Sequence, residues 1–309
     1  MAANGIHHVT AISGPARRNL DFYTRVLGLR LVKKTVNFDD PSTYHLYYGD
    51  QVGSPGSILT FFPWEHGAAG RLGVGETSET AFRIAPEAIG YWTHRLVAEA
   101  VEDESPTRVF GETVLRFRDP DGMRLALVAT EGATNERAWA GSEVPPEYGI
   151  RGFHSVTLML REAGATGAIL QDVFGFAEDG REGSLVRYAS GARQGGIVQI
   201  REVGDFLPGR SGGGSVHHVA FRAADDAAEF AMVEKLARNH GLHTTEQRDR
   251  NYFRSVYFRE PGGVLFEIAT DQPGFAVDEA PEALGQSLRM PPGLEARRAE
   301  IEAVLPKVA

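Results

Sequence analysis

The chain is predicted to be an α+β protein built from four βαβββ modules that pair into two domains, with curved mixed sheets enclosing a metal cleft. Three observations support this. The segments Gly5-Ile6-His7-His8-Val9-Thr10 and Ser215-Val216-His217-His218-Val219-Ala220 are near copies, one at each end of the chain. The helix-ending run Arg25-Val26-Leu27-Gly28-Leu29 has a counterpart in Asp172-Val173-Phe174-Gly175-Phe176. Asp119-Pro120-Asp121-Gly122 and Glu260-Pro261-Gly262-Gly263 are hairpin turns at matching places, with Pro presetting φ and Gly taking left-handed positions. Self-similarity at a period of roughly 50 to 60 residues is the mark of a repeated supersecondary unit.

The first module reads as a strand Ile6 to Ile12, a helix Ala16 to Leu27, and strands near Leu29 to Asn37, Ser42 to Gly49 and Ser57 to Phe62. Gly28 and Gly175 are placed to stop helices, because glycine accepts positive φ. The second module opens at Thr80-Ala81-Phe82-Arg83, has a helix near Pro86 to Ala98, and closes on the hairpin Val114 to Leu127. The third opens at Gly152-Phe153-His154-Ser155-Val156-Thr157 and repeats the order of the first. The fourth opens at Val219-Ala220-Phe221-Arg222, has a helix near Asp225 to Asn239, and closes on Val256 to Ile268.

Modules one and two are expected to form an N-terminal domain over residues 1–131, and modules three and four a C-terminal domain over residues 150–272. Residues 132–149, with Pro145-Pro146, read as the linker, and Gly209 to Gly214 as a second link between modules three and four. Residues 273–309 read as an extension ending in a short helix, Leu294 to Leu305, with Leu294, Ile301, Val304 and Leu305 as its apolar stripe.

Composition narrows the function classes. A net charge of −9 with no basic block argues against nucleic acid or an anionic membrane as partner. The absence of cysteine excludes disulfides, thiolate nucleophiles, iron–sulfur clusters and Cys-type zinc sites. Any metal must be held by His, carboxylate or carbonyl groups. Met1-Ala2-Ala3-Asn4 is expected to enter the first strand directly, and no apolar run approaches the ~18 residues of a membrane span, so a cytoplasmic enzyme is the expectation. A homo-oligomer is left open.

The doubled histidines lie on strands, where alternation sends one imidazole of each pair to each face. Aligning the modules on their hairpins places His8 with His218, while module three has Ser155 there and module two approximately Glu79. At the last-strand position module four has Glu267, module three Gln199, module one Thr60 and module two Ala126. His8, His218 and Glu267 thus make two imidazoles and one carboxylate, a set suited to Fe(II) with open positions for substrate and O₂; Mn(II) accepts the same ligands. Glu267, in the apolar run Val264-Leu265-Phe266-Glu267-Ile268, needs a partner if buried. His7 and His217 are expected beside the ligands or facing substrate if the strand bulges, and otherwise on the opposite face. Tyr257, ten residues before Glu267, can share its sheet face. Arg250 is placed either to pair with an anionic oxygen or to form a surface salt bridge with Asp249 or Glu246.

These modules, with the N-terminal His-His-Val-Thr, the late His-His-Val-Ala-Phe, Asp249-Arg250-Asn251-Tyr252-Phe253-Arg254-Ser255-Val256-Tyr257-Phe258 and Phe266-Glu267-Ile268-Ala269-Thr270, resemble the vicinal oxygen chelate superfamily, and within it the hydroquinone ring-cleaving dioxygenases. The resemblance covers nearly the whole chain. It implies that His8, His218 and Glu267 are iron ligands and that His7, Thr10, His217, Arg250 and Tyr257 line the substrate pocket. It also implies a small aromatic diol and O₂ as reactants. Two other readings use the same scaffold: a glyoxalase-like metal-dependent isomerase, which wants a fourth, carboxylate-type ligand where this chain has Thr60, and a non-catalytic small-molecule binding or resistance protein.

Overall fold

The computed structural model describes residues 4–308. The expected entry of Met1-Ala2-Ala3 into the first strand lies outside the described residues. Module one comprises strand β1 (Ile6–Ser13), helix α1 (Ala16–Asp21) continued by a π-type turn at Phe22–Val26, and strands β2 (Arg30–Val36), β3 (Tyr44–Gly49) and β4 (Ile58–Pro63). Module two follows with β5 (Glu76–Ile84), α2 (Ile89–Ala98), the short edge strand β6 (Thr107–Val109), β7 (Glu112–Arg118) and β8 (Arg124–Ala129). Module three has β9 (Phe153–Leu160), α3 (Gly164–Asp172), β10 (Ala177–Glu182), β11 (Leu185–Ala189) and β12 (Ile197–Glu202). Module four has β13 (Val216–Ala223), α4 (Asp226–His240), the short β14 (Arg248–Asp249), β15 (Phe253–Arg259) and β16 (Leu265–Pro273). Gly28 and Gly175 end their helical segments at φ of 69° and 71°, as glycine there predicts.

The strands form two eight-stranded mixed sheets, in the orders β14-β15-β16-β13-β1-β4-β3-β2 and β10-β11-β12-β9-β5-β8-β7-β6. In each sheet two modules meet through their first strands, which run antiparallel: β1 with β13, and β5 with β9. Module one therefore joins module four, and module two joins module three. Neither sheet follows the sequence halves 1–131 and 150–272, and the meeting of modules one and four is what a site shared by His8, His218 and Glu267 requires. The physical reason is that a module's first strand leaves one edge unpaired, and the edge that closes it belongs to a distant module rather than to the next one along.

Alternation then sorts the side chains. On β1, Val9 and Ala11 join the main core with Leu59 and Phe61 of β4 and with Tyr23, Val26 and Leu27 of the helical segment. On the module-four half, Phe221 of β13 packs on Phe266 of β16, and on Phe174 at the end of module three's helix. The helices thus lie on the outer faces of the sheets, and the opposite, concave faces are left to form clefts.

The connection at 132–149 is not a free linker: Trp92 of α2 donates to the Tyr148 carbonyl, and Tyr91 stacks on Tyr148. The Gly-rich stretch 209–214 pairs with the connection between modules one and two, through Arg71 with Arg210 and Ala69 with Gly213. The C-terminal helix α5 (Arg298–Val304) is shorter than expected, and of its predicted stripe Ile301 and Leu305 are buried whereas Val304 faces solvent.

The extension binds module one through a buried charge. Lys33 on β2 is fully buried, its Nζ 2.6 Å from Asp278 Oδ1, in contact with Glu279, and over the ring of Tyr252. Removing one partner of a buried ion pair leaves the others uncompensated. Lys33→Ala is expected to destabilise the protein by about 3 kcal/mol, measured by urea unfolding, with the greatest loss of protease protection in residues after 273.

Candidate metal centre

The two first strands carry matching irregularities. Along the β1–β13 ladder, Ile6 faces Phe221 and His8 faces Ala220, leaving His7 as an extra residue; Thr10 faces His218 and Ala11 faces Val216, leaving His217 extra. Each doublet is therefore a β-bulge, which breaks the strict alternation expected for neighbouring side chains. His7 Nδ1 lies 2.9 Å from His8 Nδ1, and His217 Nδ1 lies 2.8 Å from His218 Nδ1. The outer histidines are thus on the ligand side of their strands, touching the inner ones.

Parallel pairing of β13 with β16 sets Glu267 beside Ala220, the residue that faces His8. His218 Nε2 is 2.8 Å and His8 Nε2 3.2 Å from Glu267 Oε2, and the two Nε2 atoms are 3.4 Å apart. His8, His218 and Glu267 are the one group among the described residues whose ligand atoms converge, within 4.8 Å of one another. Glu267 is fully buried, and neither of its oxygens has a partner at hydrogen-bonding angles. A buried carboxylate left in that state is costly, and a cation between it and two imidazole nitrogens is the arrangement that satisfies all three. The donor set therefore fits a divalent ion.

Burial pushes the Glu267 carboxyl up, but His8 and His218 outweigh it and hold the group well below the usual carboxylate range. His7 is held well below the usual imidazole range by burial and then by His8. His217 is pushed down to about 4 by burial and then by His218. Both outer histidines are therefore neutral at pH 7. With Nε2 of His8 and His218 turned to the centre, their Nδ1–H groups donate to these neutral neighbours, which fixes tautomer and ring orientation.

A cavity of about 220 Å³ opens on the centre, lined by His8, Thr10, His217, His218, Arg250 and Tyr257 together with Asn37, Phe38, Asp39, His45, Tyr47, Phe62, Trp64 and Phe253. Six of the eight residues singled out from sequence thus line one space; Glu267 closes it beneath, and His7 supports His8 from behind. Tyr257 faces Glu267 directly across the β15–β16 pair. Burial and Glu267 raise its hydroxyl above the usual phenol range. Arg250 is not on the surface with Asp249 or Glu246. Its Nε donates to the Tyr257 hydroxyl at 3.3 Å, and its other partner is Asp39, from the loop after β2.

The residues that the sequence reading missed come from module one's wall. His45 and Tyr47 sit on β3, and Tyr47 faces Thr60 across the sheet as Tyr257 faces Glu267. The repeat alignment contained that signal at Tyr47. Phe38 and Asp39 carry no such signal, being loop residues placed by the tertiary fold.

The second sheet has a larger cleft of about 630 Å³, but its equivalent positions carry different chemistry. Glu79 stands at the His8 position and is paired with Arg116 at 2.7 Å, while Gln199 stands at the Glu267 position. Its bulge residues are Ser78 and His154, and His154 contacts Glu112.

A cleft made by two βαβββ modules joined at their first strands, with two His and one Glu at its base, is the architecture of the glyoxalase and dioxygenase class of enzymes. Residues 5–127 match the model for the Glyoxalase/Bleomycin resistance protein/Dioxygenase superfamily. The provisionally named ring-cleaving dioxygenase MhqO of Bacillus subtilis is 44% identical over 96% of this chain and 94% of its own length. Chlorohydroquinone/hydroquinone 1,2-dioxygenase of Sphingobium indicum is 34% identical over 96% and 94%. A crystal structure from Bacillus subtilis, provisionally described as a dioxygenase, superposes with a TM-score of 0.94 at 42% identity, covering 100% of this chain and 99% of that one. The chain belongs to the ring-cleaving dioxygenase family of this superfamily.

The depressed histidines set a pH dependence. As pH falls through ~6.5 the unfolded chain takes up a proton at His7 that the folded chain refuses, so stability falls with pH. Glu267 contributes nothing to this window, because its stabilisation is lost only as pH falls below ~4.3, its unfolded value. Chelator-treated protein is expected to be less stable to urea at pH 5 than at pH 7, with a smaller difference in His7→Gln.

Proposed function

We propose that this protein is an Fe(II)-dependent ring-cleaving dioxygenase of hydroquinone-type diols, with the ion held by His8 Nε2, His218 Nε2 and Glu267. The observation that carries this is the convergence of three buried ligand atoms, one of them on an otherwise unpartnered carboxylate, at the base of a cavity sized for a single ring. Pockets for drug-sized ligands run to about 300–1,000 Å³, so the smaller space here suits one aromatic ring. An Fe(II) ion there would lower the pKa of a coordinated ring hydroxyl and offer O₂ a neighbouring position.

The protein's own groups do the rest. Phe38, Phe62, Trp64 and Phe253 give the cavity apolar, ring-shaped walls that exclude water and restrict the substrate's orientation. His217 is neutral at pH 7 and borders the space; with Nδ1 accepting from His218 its proton is on Nε2, which can donate a hydrogen bond to a substrate oxygen. Tyr257 keeps its proton because of burial and Glu267, and can donate a hydrogen bond to a ring oxygen becoming anionic. Arg250, fixed by Asp39 and Tyr257, adds a positive charge on the same side. Thr10 offers a hydroxyl at the cavity wall.

A glyoxalase-type isomerase would need a fourth ligand at the Thr60 position. The Thr60 hydroxyl is already engaged by Thr10 at 2.9 Å and His45 at 2.8 Å. Its chemistry supports the three-ligand reading.

Anaerobic titration is expected to load one Fe(II) per chain, because among the described residues one cleft has the ligands. An ion at about 100 times its Kd should add about 2.7 kcal/mol to unfolding stability, and the gain should disappear in His8→Ala and Glu267→Ala. The loaded protein is expected to consume O₂ with hydroquinone or methylhydroquinone, and Arg250→Ala to keep iron while turning over about a hundredfold more slowly. No oxygen uptake with any hydroquinone or catechol would overturn the dioxygenase reading.

A further inference from the structure

The wall contributed by module one carries a row of polar groups that the chemistry above leaves without a task. The Tyr47 hydroxyl is 2.8 Å from His45 Nδ1, His45 Nε2 is 2.8 Å from Thr60 Oγ1, and Thr60 Oγ1 is 2.9 Å from Thr10 Oγ1. All four side chains are buried. A single file of buried polar groups beside an apolar cluster is a costly way to fill space, since each member must stay satisfied. Apolar residues would pack there without that requirement. Two of its members are informative: Thr60 stands where module four has Glu267, and Tyr47 stands where module four has Tyr257.

The repeat therefore places a tyrosine hydroxyl on each wall of one cavity, each held by the residue two positions earlier. On module four's wall Ser255 Oγ donates to Tyr257 at 3.2 Å, and Arg250 donates to it as well. On module one's wall the partner is an imidazole. Burial, then His8 and His218, keeps His45 well below the usual imidazole range, so it is neutral and has a single N–H. If that proton is on Nδ1, it donates to Tyr47, whose own O–H is released to donate elsewhere. If it is on Nε2, it donates to Thr60, and Tyr47 donates to Nδ1 with an oxygen lone pair left to accept. The row can present its outer hydroxyl as donor or as acceptor with no change of net charge.

We propose that this row recognises the substrate's second ring oxygen, the one not held at the His8, His218 and Glu267 centre. Tyr47 contacts that oxygen, and His45 is the positioning residue that lets Tyr47 serve it as hydroxyl or as oxyanion. The inference rests on the diol reading of the cavity and adds what distinguishes a diol from a monophenol. A site built to hydrogen-bond a hydroxyl discriminates against a ligand that lacks one, because its own buried groups are then left unpaired.

The test is calorimetric binding of hydroquinone and of phenol to the Fe(II)-loaded protein without oxygen, so that no turnover occurs. Wild type is expected to bind hydroquinone about tenfold more tightly than phenol. Tyr47→Phe, which deletes a single oxygen, should abolish that preference while phenol affinity holds. His45→Phe should do the same, and His45→Gln, which can keep a hydrogen bond to Tyr47, should retain part of it. Equal affinities in wild type, or an unchanged preference in Tyr47→Phe, would overturn the assignment. Binding of neither ligand by wild type would instead remove the diol reading on which the inference rests.

Discussion

The antiparallel pairing of β1 with β13, with a bulge in each strand, is the constraint on which the site depends. It sets His8 opposite Ala220 and His218 opposite Thr10, so that the two strands are related by a local two-fold axis at the Val9–Val219 pair. A slip of one residue would send both ligand imidazoles into the apolar core and bring Val9 and Val219 to the cleft. The core on the other face resists such a slip, because Val9, Val219, Phe221 and Phe266 are completely or almost completely buried there. Hydrophobic register and ligand geometry are thus one specification.

The same two-fold relation builds both clefts, which differ in the side chains at their inward positions. Modules two and three pair in the same way and carry bulges at the same places, at Ser78 and His154. Their inward positions, however, hold Glu79 with Arg116 and Glu112 with His154 and Arg187, which neutralise one another. On the same backbone plan, different side chains at a few inward positions make one cup an ionic surface whose charges pair within it. In the other cup a buried carboxylate lacks a hydrogen-bonding partner, a deficit that a cation would relieve.

Much of this was legible in the sequence. The four modules, their hairpins and helix stops follow from repeated motifs, and His8, His218 and Glu267 stand out because a repeat alignment compares inward positions directly. The meeting of modules one and four was legible, because His8 and the pair His218 and Glu267 can share one site only if those modules touch; the division into halves instead followed proximity along the chain. His7 and His217 were only half legible, since alternation excludes them from the ligand side and the bulge restores them. The Asp39 contact of Arg250 was beyond reach, because a loop residue meets a strand residue of another module only in the folded molecule. His45 needed the fold as well, since it matters through its place between Tyr47 and Thr60.

The central claim is that the two ends of the chain hold a single ion together. X-ray absorption at the iron edge of anaerobically loaded protein tests it most directly, by counting imidazole ligands in wild type, His8→Ala and His218→Ala. The account predicts two imidazoles in wild type, and either variant reduced to one imidazole or unable to retain iron. Iron that keeps two imidazoles in His8→Ala would contradict it.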